Sequence, residues 1–70
     1  MAILKINGRE KHFGEGQMPA TLMELLDHME IHHATVVAEI NGEVIERNKF
    51  TQTPLAEGQT IELVRFVGGG

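Results

Sequence analysis

Asn-Gly occurs twice, at Asn7-Gly8 and Asn41-Gly42, each time between two short runs suited to strands. The pair accepts the positive φ angles of a type I′ turn with little strain, which makes it the strongest short-range signal for a two-residue hairpin. Before the first turn Leu4 and Ile6 fall on one face and Ile3 and Lys5 on the other, and Arg9 to Phe13 is the return strand. The run Gly14-Glu15-Gly16-Gln17-Met18-Pro19 then ends it as a loop. Around the second turn, β-branched Thr35, Val36, Val37 and Ile40 lead in and Val44 and Ile45 lead out.

Between the two hairpins the period changes from two to 3.6. Leu22, Leu25, Leu26 and Met29 repeat at i, i+3, i+4 and i+7, an apolar stripe, and Thr21 with Glu24 forms a capping box at its start. Arg47 to Glu57 holds Pro54 and has weak periodicity, so it reads as a connection that tucks Phe50 and Leu55 under the sheet and closes at Glu57-Gly58. Thr60 to Val67 reads as the last strand, with Ile61 and Leu63 on one face and Glu62, Val64 and Phe66 on the other. The order β-β-α-β-β-β predicts an α+β domain, a mixed sheet with one amphipathic helix packed across one face. Such a domain closes with its last strand beside its first, in parallel, which is the β-grasp or ubiquitin-like arrangement. The expected division is a domain over 1–67 and a flexible glycine tail over 68–70.

Composition narrows what such a domain does. Seventy residues leave room for one core. Six basic and ten acidic side chains give a net charge of −4, which repels a phosphate backbone, and three phenylalanines are the only aromatics, too few for a base-stacking platform. Nucleic acid is therefore not an expected partner. Apolar stretches such as Val36-Val37-Ala38 fall far short of the roughly 20 residues of a membrane span, so no membrane partner is expected either. The opening residues lack the basic start and sustained apolar run of a signal peptide, and there is no cysteine, which together suggest the cytoplasm. Any catalytic thiol belongs to a partner.

Most candidate chemistry dissolves on inspection. His28 and His32 stand at i, i+4, but the helix is ending there and no cysteine or tight carboxylate set completes a metal shell, so no metal site is assigned. Gly14-Glu15-Gly16 lacks the further glycines and the Lys-Ser/Thr end of a phosphate loop. Glu39, Glu43, Glu46, Glu57 and Glu62 are spread over strands and turns and form no acid-base pair, while Met18, Met23 and Met29 suit the core or its edge.

Gly68-Gly69-Gly70 is different, because it follows an apolar strand and ends in the α-carboxylate of Gly70. Glycine has no Cβ to block a narrow channel, so three in a row carry that carboxylate about 10 Å beyond the domain, a slender and mobile lead into another protein's active site. A carboxylate is a poor electrophile at neutral pH, and this chain has no ATP-binding loop. A partner must therefore adenylate Gly70, with AMP as the later leaving group. Glu62, Val64, Phe66 and Val67 are the expected docking residues beside that tail.

The chain resembles the ThiS-type sulfur carriers of thiamin biosynthesis, relatives of the MoaD-type carriers of molybdopterin synthesis, over its full length. The resemblance rests on Val37-Ala38-Glu39-Ile40-Asn41-Gly42, then Arg47, Leu55, Gly58, Ile61-Glu62-Leu63-Val64 and the ending Phe66-Val67-Gly68-Gly69-Gly70. Gly58-Gln59 departs from the Gly-Asp often found there, in a turn away from the tail. The resemblance implies a cycle in which an E1-like adenylyltransferase activates Gly70 with Mg-ATP. A cysteine desulfurase or other persulfide donor then makes the thiocarboxylate, and thiazole synthase takes the sulfur. It implies a protein cosubstrate rather than an enzyme, with no cofactor on this chain. Alternatives are a carrier feeding molybdopterin, a ubiquitin-like modifier and a non-covalent β-grasp binding module.

Overall fold

The computed structural model describes residues 1–66; Val67, Gly68, Gly69 and Gly70 lie outside the described residues. Strands β1 (Ala2–Ile6) and β2 (Arg9–Phe13) form the first hairpin, and helix α1 (Leu22–His28) follows. A 3₁₀ turn, η1 (His33–Thr35), leads into the second hairpin, β3 (Val36–Ile40) and β4 (Glu43–Ile45). A second 3₁₀ segment, η2 (Arg47–Gln52), precedes β5 (Thr60–Arg65). The strands form one mixed sheet in the order β2-β1-β5-β3-β4, with β1 and β5 parallel and the other pairs antiparallel.

Both hairpins turn as the Asn-Gly pairs require. Asn7 and Gly8 have φ of 50° and 82°, and Asn41 and Gly42 have 52° and 87°, positive at both central positions as a type I′ turn demands. Thr21 caps α1, its Oγ1 accepting from the Glu24 N–H at 3.2 Å. Glu24 reaches back at 3.5 Å to the N–H of Ala20, one residue before the cap, so the reciprocal half of the box is loose. The free N–H of Leu22 donates instead to the Thr53 carbonyl, and Leu55 N–H donates to the Ala20 carbonyl, which ties the helix start to the segment after η2.

The helix is shorter than its stripe. It ends at His28, with Met29 as C-cap and Glu30 in the left-handed region at φ 60°. Glu30 N–H bonds to the Asp27 carbonyl and Ile31 N–H to the Leu26 carbonyl, the two closures of a Schellman motif. Leu22, Leu25 and Leu26 are wholly buried against Leu4, Ile6, Ile61 and Leu63, while Met18, Met23, Met29 and Ile31 pack partly buried around this core. One expectation needs correction. Arg47 to Gln52 is a 3₁₀ helix rather than an irregular connection, with Phe50 on its inner side filling the core. The last strand is regular from Thr60 to Arg65, and the Phe66 N–H still bonds to the Thr35 carbonyl; the expected end at Val67 lies outside the described residues. Among the described residues no helix is long and apolar enough to cross a membrane.

Candidate functional site

A strand at the centre of a sheet with one helix on one side has a second face, and its side chains alternate between the two. In β5, Ile61 and Leu63 go under the helix while Glu62 and Val64 are exposed on the open face. The β3 register brings Val37 opposite Val64 and Glu39 opposite Glu62, and β4 adds Val44 opposite Glu39. Val64 is 59% exposed, Val37 39% and Val44 61%, and Phe66 follows at the end of β5 at 46%. Apart from Met1, these are all of the exposed large hydrophobics among the described residues: Val37 and Val64 pair near the end of β5, Phe66 follows in the chain, and Val44 lies on the edge strand beside Glu39.

Carboxylates border these residues. Glu39 and Glu62 are directly opposed across β3 and β5, a cross-strand like-charge pair that disfavours the free fold slightly. An apolar patch with an acidic border suits a partner surface that is apolar at its centre and basic at its margin. Of the candidate residues, Glu62, Val64 and Phe66 come together here; Val67, Gly68, Gly69 and Gly70 lie outside the described residues. Sequence reasoning misses Val37 and Val44. Their signal lies in the alternation around Asn41-Gly42, since burying Val36 and Ala38 forces Val37 outward.

Elsewhere the polar side chains serve the fold. The His28 ring meets Phe13 edge-on at 5.6 Å, and His32 accepts from the Ala34 N–H through Nδ1, so the two histidines do not share one helix face. No group of three or more potential metal ligands occurs among the described residues. Gln59, at the departure from Gly-Asp, closes the turn before β5, where its Oε1 accepts from the Ala56 N–H at 2.9 Å.

One helix held across a mixed five-stranded sheet, with first and last strands parallel and the last leading out beside an exposed apolar patch, makes this a ubiquitin-like β-grasp domain. The chain belongs to the ThiS family, whose model matches residues 4–70. It is 29% identical over 68 residues to the sulfur carrier protein ThiS of Bacillus subtilis, covering 97% of this chain and 100% of that protein. It is 31% identical over 67 residues to a thiazole synthase of Paramagnetospirillum magneticum, covering 96% of this chain but only 20% of that much longer protein. The crystal structure of the thiamine biosynthesis protein ThiS from Geobacter metallireducens superposes with a TM-score of 0.80 at 35% identity, covering 97% of this chain and 99% of that one. The solution structure of a thiamine biosynthesis protein from the same organism gives 0.77 at 35% identity, covering 100% of this chain and 88% of that one.

Proposed function

We propose that this chain is the sulfur carrier for thiazole formation in thiamin biosynthesis, a protein cosubstrate working in the cytoplasm, with Gly70 as its reacting residue. Residues 1–67 supply the docking domain and 68–70 the lead. The observation that carries this reading is the exposed patch of Val37, Val44, Val64 and Phe66 at the root of a Gly-Gly-Gly ending, in a chain matched by the family through residue 70. Docking on that face brings the tail to an E1-like adenylyltransferase, where the Gly70 carboxylate attacks the α-phosphorus of ATP and pyrophosphate leaves. A cysteine persulfide on a donor such as a desulfurase then attacks the acyl adenylate and AMP departs, leaving an acyl disulfide; a second thiol outside this chain attacks the donor cysteine's sulfur, forms a disulfide with it and releases the thiocarboxylate. A thiocarboxylate is anionic and nucleophilic at neutral pH, so it can deliver sulfur where the carboxylate could not.

Thiazole synthase is the acceptor we favour. A protein of that name carries a segment like this chain within its own sequence, and joining carrier to acceptor in one polypeptide raises their effective concentration for each other. The test is to incubate the chain with an E1-like adenylyltransferase, Mg-ATP, a persulfide donor and a thiol reductant. Pyrophosphate release followed by the mass gain of one oxygen replaced by sulfur at the C-terminus is expected. Equal pyrophosphate release by a chain truncated before Gly69 would overturn the reading in favour of a non-covalent binding module.

A further inference from the structure

The last backbone tie among the described residues is the bond from the Phe66 N–H to the Thr35 carbonyl, at 3.1 Å. It lengthens the β3–β5 ladder by one step beyond the pairing of Val36 with Arg65. Thr35 itself is not in a strand. It closes η1, a three-residue turn too short to hold its shape on its own hydrogen bonds. Besides its one backbone bond, from the Thr35 N–H to the His32 carbonyl at 3.0 Å, side chains hold it. His32 Nδ1 accepts from the Ala34 N–H at 3.0 Å and the Thr35 hydroxyl donates to the His32 carbonyl at 2.7 Å. From the start of η2, Arg47 donates through Nε to the His33 carbonyl at 3.2 Å and through Nη2 to the Ala34 carbonyl at 3.4 Å. A guanidinium presents two donors in a fixed fork and can hold two successive carbonyls at once; an ammonium is a single point of charge.

We propose that Arg47 is a positioning residue for the C-terminal tail: by clamping the His33 and Ala34 carbonyls it keeps Thr35 paired with Phe66, and so fixes where residues 67–70 leave the domain. This rests on the carrier reading, in which the Gly70 carboxylate must meet a partner's ATP. Four extended residues span about 14 Å, and each residue released from the ladder moves the carboxylate by about 3.5 Å. Misplacing reacting groups by about 1 Å can cost on the order of 100-fold in rate, so the exit point matters even when docking is intact. Arg47 belongs neither to the apolar patch nor to the tail, so its removal separates placement from docking.

The experiment compares wild type, Arg47→Ala and Arg47→Lys. Amide hydrogen exchange on the free protein is read first. Phe66 is expected to exchange at least tenfold faster in Arg47→Ala, with Arg47→Lys between, while Leu63, whose N–H is held by Asn7, is unchanged. Unchanged exchange at Phe66, or an equal rise at Leu63, would overturn the clamp. Adenylation by an E1-like partner is read second. A tenfold or greater fall in kcat with KM within twofold of wild type is expected for Arg47→Ala, partly restored in Arg47→Lys. A change confined to KM, or no change, would overturn the positioning role. Failure of the carrier reading looks different, because the wild-type chain itself would then release no pyrophosphate.

Discussion

The Asn7 carboxamide pairs with both backbone groups of Leu63, its Oδ1 accepting from the Leu63 N–H at 2.7 Å and its Nδ2 donating to the Leu63 carbonyl at 3.2 Å. Parallel pairing of β1 with β5 runs from Lys5 N–H on Gln59 to Asn7 N–H on Ile61, and there the chain turns away into the hairpin. The side chain of Asn7 takes over as a substitute peptide group for the next rung. Asn41 repeats the device on the other side of β5: its N–H donates to the Thr60 carbonyl at 2.7 Å and its Oδ1 accepts from the Thr60 N–H at 2.9 Å. Each Asn-Gly turn therefore also anchors the strand that leads to the C-terminus.

Asn7→Gly is expected to cost about 1 to 3 kcal/mol, because glycine keeps the positive φ yet leaves the partly buried Leu63 groups unpaired. Asn41→Gly loses one bond at an exposed site and should cost less, about 0.5 to 1.5 kcal/mol. Equilibrium denaturation of both variants checks this; equal losses would mean that the Asn7 carboxamide bonds add nothing beyond the turn.

These anchors mark the limit of what could be read from the chain. Element order, the parallel pairing of β1 and β5 and the burial of Leu22, Leu25, Leu26, Ile61 and Leu63 were legible because period, turn chemistry and a single helix point to one economical arrangement, while the place of β3 rather than β4 beside β5 was not. Long-range side-chain bonds were not. Asn7 and Leu63 are 56 positions apart and Arg47 and His33 are 14 apart, with no local pattern to announce either. The 3₁₀ form of Arg47 to Gln52 was hidden for the opposite reason. Its one deeply buried residue, Phe50, gives no period from which to read a helix.

Glu30 offers a gain. It occupies the left-handed C′ position after α1 at φ 60°, where most helices of this type place glycine. Glu30→Gly should raise stability by about 0.5 to 1 kcal/mol, since relief of the strained backbone outweighs the entropy that glycine adds to the unfolded chain. Thermal unfolding would show it, and a lower midpoint would mean that the Glu30 side chain supplies something its exposed position does not reveal.

The opposed carboxylates on the open face set stability against binding. Glu62→Gln removes the repulsion with Glu39 and should stabilise the free domain by about 0.2 to 1 kcal/mol, an effect that shrinks as salt is added. With a basic-margined partner the same change should weaken association and flatten its salt dependence. Denaturation and binding titrations at two ionic strengths test both halves; tighter partner binding by Glu62→Gln would place the interface elsewhere.

Docking and reaction should separate cleanly between the exposed face and the glycine tail. Phe66 is 46% exposed at the end of β5 and contributes little to the core, so Phe66→Ala should leave the fold intact and weaken partner binding by about 1 to 3 kcal/mol. In an adenylation assay that appears chiefly as a higher KM. Gly69→Val acts on the other half. On the carrier reading, a β-branched side chain beside Gly70 would not fit a partner channel that admits glycine, yet it leaves the docking face as it was. The variant should bind the E1-like partner nearly as wild type does, compete with it, and release pyrophosphate at a small fraction of the rate, a loss in kcat. If Phe66→Ala instead lowered kcat alone, or Gly69→Val turned over normally, the open face and the glycine tail would not hold the separate roles proposed for them.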